Sequence, residues 1–184
     1  MPVPRVFNHL QPCGEKTAMS RVNYFFLAIA IGCAILVTPA GASSCKNIKA
    51  LIVDSSAPNG CTSPFGFCAA GTVKGNHGLN GTTYFVLDGV SSSPATAPGW
   101  GVTSGLLVYT TPDGTLTVRE TGVGKLTGHP SNGYLTSIEE ILSGTGRFAG
   151  ATGFLYNNAT DVNSVFYSNI SGQLCFSTDD GGDD

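Results

Sequence analysis

The segment Ser143-Gly144-Thr145-Gly146-Arg147-Phe148-Ala149-Gly150-Ala151-Thr152-Gly153 sets four glycines around a single aromatic residue, Phe148. Taken letter by letter, Gly144-x-Gly146-x-x-Ala149 satisfies the dinucleotide-binding fingerprint, whose glycines let a helix N-terminus approach a pyrophosphate. That chemistry needs a helix to follow. Here Gly153-Phe154-Leu155-Tyr156-Asn157-Asn158 is strand-like, and no acidic residue lies at the right distance on a following strand end. The segment therefore reads as a glycine-punctuated turn between antiparallel strands. Phe148 is its apolar plug, and the glycines give room for bends or positive φ.

Outward from this turn, strand-like pieces recur at short intervals. They cover 67–73, 82–90, 101–110, 115–123, 134–143, 153–158 and 164–176, most of them rich in Val, Thr, Tyr, Phe, Ile or Leu. Thr111-Pro112-Asp113-Gly114 joins two of them as a hairpin, with Pro fixing φ and Gly supplying positive φ. Residues 135–142 (LTSIEEIL) fit either helix or strand spacing, and the flanking turn signals favour strand. Residues 43–64 read as irregular because of the turn cluster Asp54-Ser55-Ser56-Ala57-Pro58-Asn59-Gly60, and 91–99 as a polar loop. With 11% charged residues and 25 glycines in 184, and no sustained helical periodicity, the chain is expected to be all-β. Tyr84-Phe85-Val86-Leu87 and Leu106-Leu107-Val108-Tyr109 are apolar in both strand phases, so both sheet faces need cover. No helix is available for the outer face, which points to self-association.

The run Tyr24 to Val37 is fourteen residues without a charge, preceded by Arg21 and followed by Thr38-Pro39-Ala40-Gly41-Ala42. It reads as a signal peptide cleaved near Ala42/Ser43, with Met19 an alternative start; an uncleaved signal anchor is the competing reading. At about 1.5 Å per residue the run would span roughly 21 Å, short of a ~30 Å hydrocarbon layer. The expected organisation is a leader over 1–42, one domain over 43–178 and an acidic tail over 179–184. The product would be secreted, extracellular or periplasmic, with no membrane association after cleavage. Cys45, Cys61, Cys68 and Cys175 remain in that domain, and an oxidising destination makes two disulfides the expectation. Three connectivities are possible; the expected one pairs Cys61 with Cys68 across a short loop and Cys45 with Cys175 near the two ends. Without a C-x-x-C pair a zinc site is disfavoured, and no metal or cofactor is expected. Asn80, Asn158 and Asn169 head N-x-S/T sequons, informative only in a eukaryotic secretory pathway.

The pattern Gly144-Thr145-Gly146-x-Phe148-x-Gly150-x-x-Gly153 resembles the hairpin shared by dirigent proteins, allene oxide cyclases and related secreted bacterial proteins. It is carried best by residues 134–176. The resemblance implies a closed antiparallel eight-stranded barrel around an apolar cavity, often in a homotrimer. It also implies that a reactive intermediate could be cyclised or coupled there without a cofactor. No catalytic position carries over, because those families' pocket groups lie on other strands with no motif to match here.

The remaining polar candidates are few. Asp88 shares a strand phase with Tyr84 and Val86, and Glu120 shares one with Leu116 and Val118. A buried carboxylate in either place could act as acid or base, whereas one near a strand end more often caps a turn. Glu139 and Glu140 are adjacent, so only one can face the interior; Glu140 is taken as the candidate. The expected pocket is Tyr84, Val86, Leu116, Val118 and Trp100, the last at a cavity rim or anchoring its loop. Arg119 and Arg147 are expected outside, and His77 and His129 in exposed loops. No G-x-S-x-G elbow supports a serine hydrolase. A net charge of −3 with no basic stripe disfavours nucleic acid. Three functions stay open: binding of a small apolar or aromatic molecule, cofactor-free cyclisation or stereochemical guidance, and an interaction role for a barrel filled by side chains.

Overall fold

The computed structural model describes residues 44–125 and 132–176. The expected leader, His129 and the expected acidic tail lie outside the described residues. Ile48, Ala50, Ile52 and Asp54 point to one side at every second position of the first strand, β1 (Ser44–Ser56). This is the segment expected to be irregular. Its turn signals begin inside the strand, at Asp54, where a carboxyl occupies an inward position that a turn reading assigns to solvent.

β2 (Cys68–Gly75), β3 (Asn80–Ser91), β4 (Trp100–Thr111), β5 (Gly114–Lys125), β6 (Asn132–Gly144), β7 (Thr152–Val162) and β8 (Val165–Phe176) follow in meander order. Each strand pairs antiparallel with the next, and β8 pairs with β1, so eight strands close into a barrel. Closure leaves no edge for another chain to extend. Cys45 and Cys175 are register partners across the closing seam and form a disulfide. Cys61 and Cys68 form the second. Pro112 and Asp113 make the two-residue turn between β4 and β5, whose flanking residues Thr111 and Gly114 pair.

One end of the barrel is packed shut. Leu79 from the β2–β3 turn, Leu116, Leu155, Leu174 and Phe148 are each fully buried there, with Ile48 beside them. Phe148 reaches this plug from a 3-10 turn, Gly146–Phe148, that folds the β6–β7 connection under the barrel. The Arg147 and Thr145 amides donate to the Asp113 and Thr115 carbonyls, clamping that connection to the β4–β5 hairpin. A side chain at Gly146, where φ is +55°, would fall 2.1 Å from the Asp113 carbonyl oxygen. The glycines thus permit close backbone approach at the base of a barrel, and β7 follows directly, leaving no helix for a dinucleotide.

On the two-sided strands the outward Tyr84, Val86, Leu106 and Val108 are half-buried, and the most exposed strand-borne apolar side chains stand on other strands. Leu51, Tyr134 and Ile138 are more than half exposed, and Leu142, Phe154, Tyr156 and Tyr167 are exposed as well. Among the described residues no helix is long and apolar enough to cross a membrane.

Candidate functional site

Above the plug the interior is not filled. A cavity of about 430 Å³ is walled by residues from all eight strands, including Ile52, Ala69, Phe85, Leu87 and Leu107. That volume lies in the range of small-molecule sites. It extends to the barrel end formed by Ser56, Phe67, Val90, Lys125 and Asp161. Phe67 comes from the loop closed by Cys61–Cys68 and packs edge-on against Phe85 and Phe166, with ring centroids 6.4 and 5.9 Å apart. The loop is further tied down by Ser63, whose hydroxyl donates to the Leu87 carbonyl at 2.5 Å.

Where cavity meets plug, the strands turn polar groups inward. Asp54 on β1 accepts a 2.5 Å hydrogen bond from the Thr83 hydroxyl. Glu120 on β5 accepts one from the Ser137 hydroxyl at 2.9 Å, and Glu139 on β6 accepts one from the Tyr109 hydroxyl at 2.5 Å. Glu120 and Glu139 stand directly opposite each other in the β5–β6 register. Two like charges so placed repel, and burial strips each of water. Burial accordingly pushes the Glu120 carboxyl up to about 7, against the Ser137 hydrogen bond and with Asp54 adding. Burial and then the Glu120 charge push Glu139 up to about 8, against the Tyr109 hydrogen bond. Asp54 is raised by burial, opposed by Thr83. The Tyr109 hydroxyl, fully buried beside Glu139, is raised well above its usual range by burial and then by that carboxylate. Asn157 on β7 also lines the cavity, and its Oδ1 has no hydrogen-bond partner; neither has Glu139 Oε1.

The expected site residues are dispersed by this arrangement. Glu120 lies in the cavity wall. Leu116 and Val118 face inward as expected but are fully buried in the core cluster rather than lining the cavity. Tyr84, Val86 and Asp88 belong to the other phase of β3: Thr83, Phe85 and Leu87 turn inward, and Asp88 sits outside in an ion pair with Arg119. The Arg119 hydrogen bond, with help from Ser104, holds the Asp88 carboxyl below its usual range. Glu140 is exposed on the outer face and its neighbour Glu139 takes the interior. Trp100 lines a shallow outer depression with Pro94, Ala97 and Val123, away from the cavity. His77 lies in the β2–β3 turn at the plugged end. Asp54, Tyr109 and Asn157 carry no sequence signal that marks them for the site, and of the adjacent pair Glu139–Glu140 it is Glu139 that faces inward. Among the described residues no group of three His, Cys, Asp or Glu side chains is placed to hold a metal ion.

Compared with protein-family models, curated proteins and solved structures, the chain matches none.

Proposed function

We propose that the barrel binds a small, mainly apolar molecule in its interior, entering past Phe67 and directing its polar end to Asp54, Glu120 and Asn157. The observation that carries this reading is the unfilled upper half of the barrel. An apolar cavity of about 430 Å³ with a few convergent polar groups at its floor has the composition of a ligand site. A barrel serving only as a scaffold has no need of three carboxyl groups in its interior, each costly to bury. The test is cavity blockade. Ala159 lines the cavity and is 5% exposed. Ala159→Phe should abolish the thermal stabilisation given by neutral arenes and alkanols such as phenethyl alcohol and octanol, while far-UV circular dichroism stays unchanged. Stabilisation that survives the substitution would refute the reading. At a ligand concentration of 100 times Kd the wild-type gain should be about 2.7 kcal/mol.

Glu120 favours a second reading, cofactor-free isomerisation or cyclisation of the kind implied by the resemblance to allene oxide cyclases and dirigent proteins. It lines the cavity with a carboxyl near 7, a value suited to giving or taking a proton at neutral pH. Glu120→Gln would then abolish turnover of a bound substrate without abolishing binding of a neutral one. Two disulfides support an oxidising destination, and hence secretion after removal of the leader. The exposed apolar outer face supports assembly into a homotrimer.

A further inference from the structure

We infer that the cavity's ligand class is a protonated amine on an apolar body, its ammonium group seated at the floor among Asp54, Glu120 and the Asn157 amide oxygen. This rests on the cavity being a binding site and specifies what that site selects.

The floor is built from acceptors. Thr83 and Ser137 supply one hydrogen bond each to Asp54 and Glu120, leaving carboxylate lone pairs unused. Asn157 is 5% exposed, lines the cavity and carries an unpartnered Oδ1. Buried acceptors without donors are costly, and the group that satisfies several at once is a multiple donor. An ammonium brings three N–H donors and a positive charge to a place where like charges crowd.

The titratable groups at the floor are Asp54 from β1, Tyr109 from β4, Glu120 from β5 and Glu139 from β6, and those towards the open end are Lys125 from β5, Tyr134 from β6 and Asp161 from β7. Among the described residues β2, β3 and β8 bring only uncharged side chains to the wall. The cation, Lys125, stands at the mouth, and the body of the ligand would lie against Ile52, Phe85, Leu87 and Leu107.

An incoming cation favours the ionised carboxyls and so expels protons. Burial pushes the Glu120 carboxyl up to about 7, so part of it carries a proton near neutral pH and amine binding there should release protons. A ligand that accepted a hydrogen bond from a protonated carboxyl would instead draw protons in. Affinity for the amine should therefore rise several-fold from pH 6 to pH 8.

The experiment compares matched pairs on the disulfide-bonded protein: phenethylamine with phenethyl alcohol, and octylamine with octanol. Titration calorimetry in buffers of different ionisation enthalpy counts the protons. The amines should bind about tenfold tighter than the alcohols, with net proton release. Glu120→Gln and Asp54→Asn should each erase most of that preference, the amine losing far more affinity than its matched alcohol, and thermal stabilisation by toluene, which has no polar end to place at either carboxyl, reports that the cavity is intact. Alcohols binding as tightly as amines, or proton uptake by the wild-type protein, would overturn the amine assignment and leave the binding site standing. Failure of every alcohol and every amine would overturn both.

Discussion

Replacing Glu139 by Gln should flatten the pH dependence of folding stability. Glu139 is fully buried, and removal from water is the main cause that lifts its carboxyl from 4.5 to about 8. A folded value above the unfolded one means that the native state binds the extra proton. Its contribution is therefore fully present below about pH 4.5 and is lost as pH climbs towards 8. At about 1.4 kcal/mol for each pH unit, the loss from this group is on the order of 5 kcal/mol across the window. Glu120 and Asp54, also raised, act in the same direction. Asp88, lowered beside Arg119 on the outer face, acts oppositely and only in acid, losing its contribution as pH falls. Gln keeps the shape and an oxygen for the Tyr109 hydroxyl. The variant should thus lie within about 1 kcal/mol of wild type at pH 5 and be more stable by about 3 kcal/mol at pH 8. Urea unfolding with the disulfides intact, at pH 5, 6.5 and 8, reads both numbers. Wild-type stability that holds level or rises from pH 5 to pH 8 would refute the reasoning, as would a Gln variant that declines as steeply as wild type.

Gly146→Ala should cost about 1 to 3 kcal/mol, because φ is +55° and the new methyl meets the Asp113 carbonyl, and a lowered Tm would show it. Opening Cys45–Cys175, which spans 130 residues, should destabilise by about 4 to 5 kcal/mol, against about 2 to 3 for Cys61–Cys68, which spans 7. Denaturant midpoints of the paired Cys→Ser variants give the comparison. Opening Cys61–Cys68 should also weaken neutral-ligand binding, since it frees the loop that carries Phe67. Native mass spectrometry of the disulfide-bonded protein should show the proposed trimer; a monomer would leave the exposed Leu51, Ile138 and Tyr156 without the cover proposed for them.

Turns were the legible part of this chain. Pro112-Asp113 and the glycines at 144, 146, 150 and 153 act through backbone conformation, which single residues dictate, so both turns could be placed from sequence. The interior was harder because its polarity inverts around the cavity. On β6, Ser137 and Glu139 face in while Ile138 faces out, and on β7 Asn157 faces in while Phe154 and Tyr156 face out. A rule that sends apolar residues inward puts Glu140 inside with Ile138, whereas Glu139 is the residue that faces in. On β3, four consecutive apolar residues give no phase at all, and the irregularity between Leu87 and Gly89 returns Val90 to the cavity wall. Asp54 was hidden by a different cause, the turn residues that begin on the strand it belongs to.

A crystal structure of the protein soaked with phenethyl alcohol tests the central claim most directly. The ligand should lie inside the barrel, its ring between Phe85 and Leu107 and its hydroxyl at Glu120 or Asn157. An interior closed by its own side chains, or a ligand found only on the outer face, would contradict it.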